Sequence, residues 1–335
     1  MKMLHLGNGW SAMPQTGEFV DKLRTYGELD IIMDASKMPD HERAEMIRRY
    51  DVLLILWGSM PIPEEIAGNP GQLKYVCNIT GELRSYVPFS LIQSGMLVTN
   101  WGDAPSDTVA EGAMTLLLAV MKNLRDHIET VAAGGWRIPT LGTKGSLNGC
   151  DVGIYGMGVI GRRFVELIRP FRPVLRVFDK YVTDLPEGCT TVGSLEELFK
   201  TSRIIVLHAG LSPETRHSVS AGLLSLLPDN GIIINTARGG IIDQDALFKE
   251  LKSGRLRAGL DVLDGEAGDC LREDDEARQW SNLILTSHQV SDTAWGSDQT
   301  LENVMRRVCL ENIERFSKGG EPLFRMTAER FQHST

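Results

Sequence analysis

A chain of 335 residues, 24% charged and 42% hydrophobic, can bury a large core and divide into two domains. The chain has 35 Lys and Arg residues and 44 acidic residues, a net charge of −9, and its basic residues form no cluster. We therefore expect no nucleic-acid partner. The start, MKMLHLGNGW, lacks the apolar core of a signal peptide, and the longest apolar stretch, around residues 113–121, is too short to span a bilayer. We therefore expect no membrane association.

The cysteines are dispersed and never occur as a CxxC pair: Cys77, Cys150, Cys189, Cys270 and Cys309. An odd, scattered set argues against a disulfide framework and against a zinc site, and no metal is expected. We interpret these residues as small apolar core residues of a protein in a reducing cytoplasm.

The first 100 residues alternate short apolar runs with amphipathic segments. Strands are predicted over residues 3–6, 29–33, 52–56, 73–79 and 96–99. Helices are predicted over residues 18–26 and 40–49, the second beginning at Asp40, which can cap it. Repeated strand-helix alternation predicts a parallel, doubly wound sheet, and this first unit carries no glycine-rich nucleotide motif.

Residues 100–107, NWGDAPSD, contain Gly and Pro that interrupt the periodic pattern, and we predict a crossing between domains there. Thr108 and Glu111 have the spacing of a capping box and predict the start of a long apolar helix over residues 109–124. A helix this apolar must be buried, either between domains or against another subunit.

Residues 149–179, GCDVGIYGMGVIGRRFVELIRPFRPVLRVFD, are typical of a strand, a glycine turn, a helix and a second strand. Gly156 permits the tight turn, Gly158 lets a pyrophosphate approach the backbone, and Gly161 lets the helix lie close to the sheet. The phosphate would sit at the helix N-terminus, whose free N–H groups favour an anion. The predicted cofactor turn comprises Gly156, Met157, Gly158, Val159, Ile160 and Gly161.

Asp179 ends the second strand of this unit and bears on the choice of cofactor. A carboxylate there accepts hydrogen bonds from the adenosine ribose and repels a 2′-phosphate, which favours NAD over NADP. Lys180, directly after it, is the one feature that weakens this preference.

The strand-helix alternation continues beyond the glycine turn. Ser194 and Glu197 predict a capped short helix, and Asp243 caps a helix that ends at Ser253 before Gly254. Further strands and a final helix are predicted over residues 204–207, 231–235, 258–262, 283–286 and 298–317. Polar residues follow these strands, where ligands of such sheets gather.

Three of the polar strand-end residues, Arg238, Glu266 and His288, have the chemistry of a hydride-transfer site. An arginine can grip a carboxylate with two bonds, and a histidine can give a proton to a developing alkoxide. Glu266, bonded to the other ring nitrogen, would orient the imidazole. The alternatives are that Arg238 pairs with a neighbouring acid and that His288 caps backbone groups.

Several stretches resemble the D-isomer-specific 2-hydroxyacid dehydrogenase family, in order and over essentially the whole chain: LNGCDVGIYGMGVIG, IIVLHAGLSPETRHSV, LLPDNGIIINTARGGIIDQDAL, AGLDVLDGE and LTSHQVSDT. The resemblance implies an α/β fold in which a Rossmann NAD-binding domain, residues 103–292, is inserted in a flavodoxin-like doubly wound substrate domain, residues 1–102 and 293–335. It implies an NAD-dependent oxidoreductase interconverting a D-2-hydroxy acid and its 2-oxo acid, and a homodimer through residues 109–147.

By resemblance, Arg238 is the catalytic and substrate-binding arginine, His288 the acid/base and Glu266 its partner. The cofactor-lining residues implied by the resemblance are His208, Ala209, Thr236, Ala237, Arg238, Asp261 and His288.

The chain also departs from the family. Ala267 and Gly210 stand where the family usually has Pro, and an acidic insertion, GDCLREDDEAR, follows Ala267. Arg84 stands at the usual Asp position of the substrate loop, so we expect a substrate with a second anionic group or a bulky apolar tail. The predicted substrate-binding residues are Thr80, Gly81, Glu82, Arg84, Trp57 and Arg238.

Two other functions are compatible with the same predicted fold. One is an NADH-sensing, corepressor-like interaction protein, against which stand the intact catalytic set and the lack of a partner-recruiting tail. The other is a dehydrogenase of formate or another one-carbon acid, which needs a specialised pocket that the sequence does not reveal.

Overall fold

The computed structural model of the chain describes residues 1–136, 145–265, 271, 275–291 and 303–333. They divide into two compact units: unit 1 comprises Met1–Pro105 and Thr293–Thr335, and unit 2 comprises Ser106–Asp292. Each unit contains its own parallel sheet and its own buried core, which confirms the predicted α/β class.

The sheet of unit 1 has the strand order β2-β1-β3-β4-β5, which is the flavodoxin-like order. Its strands are β1 Lys2–Leu6, β2 Glu28–Ile32, β3 Val52–Ile55, β4 Tyr75–Asn78 and β5 Leu97–Thr99. All predicted strands are therefore present, with ends displaced by one or two residues. The helices between them are α1 Glu18–Arg24, α2 Asp40–Ile47 and α3 Phe89–Gln93.

The prediction that Asp40 caps α2 was wrong. Pro39 occupies the N-cap position, and Asp40 is the first helical residue. Its carboxylate instead accepts from the Arg43 guanidinium at 2.7 Å, one turn further along. An acid in the first turn still favours the helix, because it interacts with the positive end of the helix dipole.

Unit 2 begins with α4 Ser106–Met121 and α5 Leu124–Ala132, where one helix over residues 109–124 was predicted. The capping-box prediction was wrong, since α4 starts directly after Pro105 and Thr108 lies inside it. The two helices separate at Asn123, whose left-handed backbone (φ +53°) ends α4. The Arg257 guanidinium donates to the Val120 carbonyl and to the side-chain oxygen Oδ1 of Asn123, and so caps the C-terminus of α4.

The apolar face of α4 is buried within its own unit, against α6 Val159–Ile168 and the strands described next. Gly259 makes this packing possible, because a side chain there would stand 3.0 Å from the Leu116 Cβ. The predicted burial of this helix is confirmed, but its buried face packs within unit 2, whereas burial between domains or against another subunit was predicted.

The sheet of unit 2 has the order β12-β11-β10-β9-β6-β7-β8, with every neighbouring pair parallel. It contains the Rossmann order with β12 added at one edge. Its strands are β6 Asp151–Tyr155, β7 Val174–Phe178, β8 Cys189–Thr191, β9 Ile204–Leu207, β10 Gly231–Asn235, β11 Leu256–Leu260 and β12 Leu283–Leu285. Because β6 lies at the switch point between β7 and β9, the glycine turn that follows it faces the ligand crevice expected of such sheets.

The remaining helices of unit 2 are α7 Leu195–Thr201, α8 Ala221–Leu226 and α9 Gln244–Lys252. The two predicted caps are confirmed: Glu197 N–H donates to Ser194 Oγ at 3.1 Å, and Ala246 N–H donates to Asp243 Oδ1 at 3.1 Å. The chain then returns to unit 1 with α10 Val304–Ser317 and α11 Ala328–His333, and residues 298–302 of the predicted final helix lie outside the described residues. None of the helices that the structure describes has the length and apolarity to cross a bilayer.

Candidate active site

The three glycines of the cofactor turn have different local geometries. Gly156 has φ +97°, and a Cβ there would meet the Ala209 amide nitrogen at 2.4 Å. Gly161 on α6 would place a Cβ 2.4 Å from the Gly156 carbonyl oxygen, so the helix lies directly against the turn. Gly158 is the N-cap of α6, and a Cβ there would meet nothing within 4 Å. Gly158 therefore borders open space at the helix N-terminus, where a pyrophosphate fits.

Asp179 connects the end of β7 to the glycine turn. Its Oδ2 accepts from the Met157 N–H at 2.7 Å, and its Oδ1 accepts from the N–H groups of Tyr181 at 2.8 Å and Val182 at 2.9 Å. The carboxylate thus stabilises both the turn and the loop after β7. It also places a negative charge beside the position predicted for the adenosine ribose.

Two buried polar atoms at the ends of β9 and β10 have no hydrogen-bond partner within the part of the chain that the structure describes: His208 Nε2 and Thr236 Oγ1. Burial lowers the pKa of the His208 imidazole to about 3, so the ring is neutral at physiological pH. It packs against Phe164 of α6, with ring centroids 5.1 Å apart. Buried polar groups are normally bonded. A bound dinucleotide could supply the missing partners, and these residues fit such a cofactor.

The loop after β10 is organised by Asn235, a fully buried residue that the sequence analysis missed. Its Oδ1 accepts from the Ala237 N–H at 2.9 Å, and its Nδ2 donates to the Arg238 carbonyl at 3.0 Å. The Arg238 guanidinium donates to the Ala237 carbonyl at 2.7 Å. Gly239 lies so close to the loop after β11 that a Cβ there would stand 2.0 Å from the Leu263 carbonyl carbon. The backbone on both sides of Arg238 is therefore fixed.

The loop after β12 carries His288, which has a left-handed backbone (φ +58°) and lies exposed. Asp261, 3% exposed at the end of β11, holds this loop. Its Oδ1 accepts from Thr286 Oγ1 at 2.5 Å and from the N–H groups of Gln289 at 3.1 Å and Val290 at 3.3 Å. The family resemblance implied only that Asp261 lines the cofactor, whereas the structure shows that it anchors the segment around the predicted acid/base.

A further polar cluster joins neighbouring loops of unit 2. His217 Nε2 lies 2.7 Å from Asp264 Oδ2, and the Arg216 guanidinium lies 3.7 Å from Asp264 Oδ1. The His217 N–H donates to the Gly240 carbonyl at 2.8 Å. The loops after β9, β10 and β11 are thus tied together. Glu266, the predicted partner of His288, lies outside the described residues.

The predicted substrate loop follows β4 in unit 1. Thr80 is buried and donates through its hydroxyl to Asn78 Oδ1 at 3.0 Å, while Asn78 Nδ2 donates to the Glu82 carbonyl at 2.5 Å. The loop packs against Trp101, since a Cβ at Gly81 would meet the indole Nε1 at 2.4 Å. The fold of this loop therefore depends on side chains that the sequence analysis did not assign to it.

Two of the predicted substrate residues border this loop. The Trp57 ring lies edge-on to Trp101, with ring centroids 6.0 Å apart, and is 40% exposed. Arg84 is exposed and donates to the Phe331 carbonyl of α11 at 3.4 Å. Both side chains are therefore partly accessible, and their contact with a substrate stays a prediction.

The fold and the strand-end geometry define a two-unit α/β protein with a dinucleotide turn. A sequence model described as "D-isomer specific 2-hydroxyacid dehydrogenase, NAD binding domain" matches residues 114–289, slightly more than half of the chain. The chain belongs to the D-isomer-specific 2-hydroxyacid dehydrogenase family. It is accordingly an oxidoreductase that interconverts 2-hydroxy and 2-oxo acids with a nicotinamide dinucleotide, as the sequence analysis expected.

Relatives and solved structures agree with this membership. The chain is 31% identical to D-3-phosphoglycerate dehydrogenase of Methanocaldococcus jannaschii over 89% of its own length but only 55% of the relative's. It is 28% identical to glyoxylate reductase of Thermococcus gammatolerans over 93% of its own length and 92% of the relative's. The structure of an acyclic imino acid reductase (Bsp5) in complex with NADPH and D-Arg matches with a TM-score of 0.77 and 26% identity, covering 97% of this chain and 100% of that one.

The contrast between Gly158 and Gly156 gives a test of the cofactor site. Gly158→Ala should leave the thermal midpoint unchanged, because its Cβ enters open space and its φ of −70° suits any residue. It should weaken NADH binding, because the methyl group occupies the space in which the pyrophosphate approaches the backbone. Fluorescence titration with NADH and thermal unfolding measure the two effects.

The control is Gly156→Ala, which should lower the thermal midpoint because of its positive φ and its clash with Ala209. Unchanged NADH affinity in Gly158→Ala would contradict a cofactor site at this turn.

Proposed function

We propose that the protein is an NAD-dependent reductase of 2-oxo acids to D-2-hydroxy acids, with unit 2 binding the cofactor and Arg238 of unit 2 binding the substrate carboxylate. The observation that carries this proposal is the fixed backbone around Arg238 and His288, held by Asn235 and Asp261. Arg238 and His288 follow β10 and β12, which flank β11 and end at the same edge of the sheet. Thr236, whose Oγ1 has no hydrogen-bond partner among the described residues, lies at that edge as well.

The residues divide the reaction between them. Arg238 binds the substrate carboxylate through its guanidinium and orients the adjacent carbonyl. When bound, the reduced nicotinamide supplies the hydride to the carbonyl carbon. His288 gives a proton to the oxygen on which negative charge develops. The proposed partner of His288 stays Glu266, which lies outside the described residues.

The cofactor contacts that we propose come from the loops at the same edge. The glycine turn, from Gly156 to Gly161, takes the pyrophosphate, and the loops after β9, β10 and β11 take the nicotinamide half. The residues proposed for the second group are His208, Ala209, Thr236, Ala237, Arg238, Asp261 and His288. Because His208 is neutral, it contributes a hydrogen bond and no charge.

We propose NAD as the physiological cofactor because the Asp179 carboxylate lies at the end of β7, bonded to the glycine turn. A 2′-phosphate at this position would meet a fixed negative charge. The imino acid reductase bound to NADPH shows that a similar fold accepts the other dinucleotide. Tighter binding of NADPH than of NADH by the unmodified protein would contradict the proposal.

The catalytic roles predict a separation of turnover from cofactor binding. Arg238→Ala or His288→Ala should lower kcat/KM for a 2-oxo acid by about 10²- to 10⁴-fold, because each removes an interaction of the transition state. NADH affinity should fall far less than kcat/KM, because the glycine turn and the other proposed contact residues still bind the dinucleotide. Steady-state kinetics and NADH titration give the two values.

The matched control for His288→Ala is His41→Ala, an exposed histidine in unit 1. It should retain full activity. Wild-type turnover in Arg238→Ala and His288→Ala would exclude this site.

For the substrate, we propose a 2-oxo acid with a second anionic group or a bulky apolar tail, because Arg84 and Trp57 are both partly accessible. A panel of 2-oxo acids should show higher kcat/KM for such compounds than for pyruvate or glyoxylate. Arg84→Ala should reduce the preference for anionic side groups and leave the value for pyruvate unchanged. The relatives include a phosphoglycerate dehydrogenase and a glyoxylate reductase, whose names point to different substrates. A clear preference for glyoxylate would refute the proposed second anionic group or bulky apolar tail.

The rival function, a sensor that transmits NADH binding to a partner protein, is tested by the same panel. Turnover of any 2-oxo acid favours the enzyme. Tight NADH binding without turnover across the panel favours the sensor.

We propose a homodimer through α5, the only described helix longer than one turn in which no residue is buried. Its apolar residues Leu124, Ile128 and Val131 are 48%, 60% and 53% exposed and recur at helical spacing, and Trp136 beyond its end is 83% exposed. An apolar stripe of this size is typical of an interface.

Ile128→Glu should therefore produce a monomer in analytical ultracentrifugation, because it buries a charge in the interface. Leu226→Glu, at another exposed apolar residue of unit 2, should remain dimeric. A dimeric Ile128→Glu protein would contradict this interface.

A further inference from the structure

An ion pair joins the two loops on either side of the glycine turn. Lys180 follows Asp179 at the end of β7, and Glu214 lies in the loop after β9. Lys180 Nζ lies 2.7 Å from Glu214 Oε2, and the two side chains are 59% and 62% exposed. Because β7 and β9 flank β6 in the sheet, this ion pair connects the loops that border the end of the glycine turn.

The loop that carries Glu214 is internally fixed. Thr215 Oγ1 donates to the Gly210 carbonyl at 2.7 Å and accepts from the Ser212 N–H at 2.7 Å. The Arg216 N–H donates to the Ser212 carbonyl at 2.9 Å. The position of the Glu214 backbone is therefore set by the loop itself and does not depend on the ion pair.

A cation directly after the ribose-binding acid is the kind of residue that attracts a 2′-phosphate. Here its charge is already balanced: pairing raises the pKa of the Lys180 ammonium and lowers the pKa of the Glu214 carboxyl, so both stay charged at neutral pH. The neighbouring cation Arg162 is also engaged, since its guanidinium donates to the Asp184 carbonyl at 2.5 Å.

We propose that Glu214 is a specificity-determining residue that excludes NADP by holding Lys180 away from the 2′-position. This inference rests on the proposed NAD dependence and names a second residue, beyond Asp179, that enforces it. A 2′-phosphate would have to break the ion pair to reach Lys180, and it would then meet the carboxylate of Glu214 as well as that of Asp179.

The test compares affinities for NADPH and NADH by fluorescence titration of the full-length protein. Glu214→Gln should raise the affinity for NADPH relative to NADH roughly three- to tenfold at low salt, as expected for charges exposed to solvent. The gain should shrink at high ionic strength, because salt screens exposed charges. An unchanged ratio would overturn the inference.

A matched control is available in the same unit. Lys252 and Glu276 form another exposed pair, with Nζ and Oε1 2.5 Å apart and side chains 63% and 61% exposed. Glu276→Gln removes the same charge from the chain at a site away from the loops after β7 and β9. Its NADPH to NADH ratio should equal that of the unmodified protein, and a rise equal to that of Glu214→Gln would overturn the inference.

A double-variant cycle tests the role of Lys180. In a Lys180→Ala background, Glu214→Gln should raise the NADPH to NADH ratio less than it does alone, because no lysine is released. An equal rise in both backgrounds would overturn the proposed role of Lys180. All of these measurements report binding, so they stand whether or not a 2-oxo acid is turned over. If the unmodified protein already prefers NADPH, the proposed NAD dependence fails; if it prefers NADH and Glu214→Gln changes nothing, only this inference fails.

Discussion

Close backbone contact between loops at the carboxyl edge of one parallel sheet is the constraint on which the site of unit 2 depends. Gly156 lies against Ala209, so the loops after β6 and β9 touch, and Gly239 lies against Leu263, so the loops after β10 and β11 touch. A single methyl group at either glycine would overlap backbone atoms. Such contacts leave no room for independent movement of the loops, and polar side chains at this edge are consequently held at fixed positions.

Buried polar groups at this edge fall into two kinds, and the difference separates scaffold from site. Asn235 and Asp261 are hydrogen-bonded to the loops that carry Arg238 and His288, Asn235 to backbone groups and Asp261 to two backbone N–H groups and the Thr286 hydroxyl. His208 Nε2 and Thr236 Oγ1 are buried and have no partner among the described residues. Since an unmet buried hydrogen bond costs on the order of 1–3 kcal/mol, the second kind is tolerated where a ligand completes it. Residues that fix the loops and residues available to a ligand thus lie side by side at the ends of β9, β10 and β11.

Local patterns in the sequence predicted most of the fold because strands, glycine turns and helix caps are local features. The predicted strands agree with the structure to within two residues, although β8 was not predicted, and the caps at Ser194 and Asp243 are confirmed. One of the errors has a non-local cause: the break at Asn123 is stabilised by Arg257, which is distant in sequence.

The candidate site was predicted less completely than the fold, for the same reason. Arg238 and His288 were proposed because they follow apolar runs, and the family resemblance implied their roles, which stay predictions. The packing of Trp101 on Gly81 and the contact of His217 with Asp264 join segments far apart in the chain. The spacing of residues along the sequence does not predict such contacts, which are seen only in the folded structure.

Asp179 illustrates how one residue combines folding with recognition. A carboxylate can accept about four hydrogen bonds, and the Asp179 carboxylate already accepts three, all from backbone N–H groups. A ribose hydroxyl can take the remaining position without disturbing the turn. Replacing Asp179 to admit a 2′-phosphate would therefore remove the bond to Met157 and loosen the turn that binds the pyrophosphate. Glu214 makes no comparable backbone bond among the described contacts, so charge at that position can change cofactor preference while the turn stays intact. In the proposed exclusion of NADP, the contribution of Glu214 is therefore separable from folding, whereas the contribution of Asp179 is not.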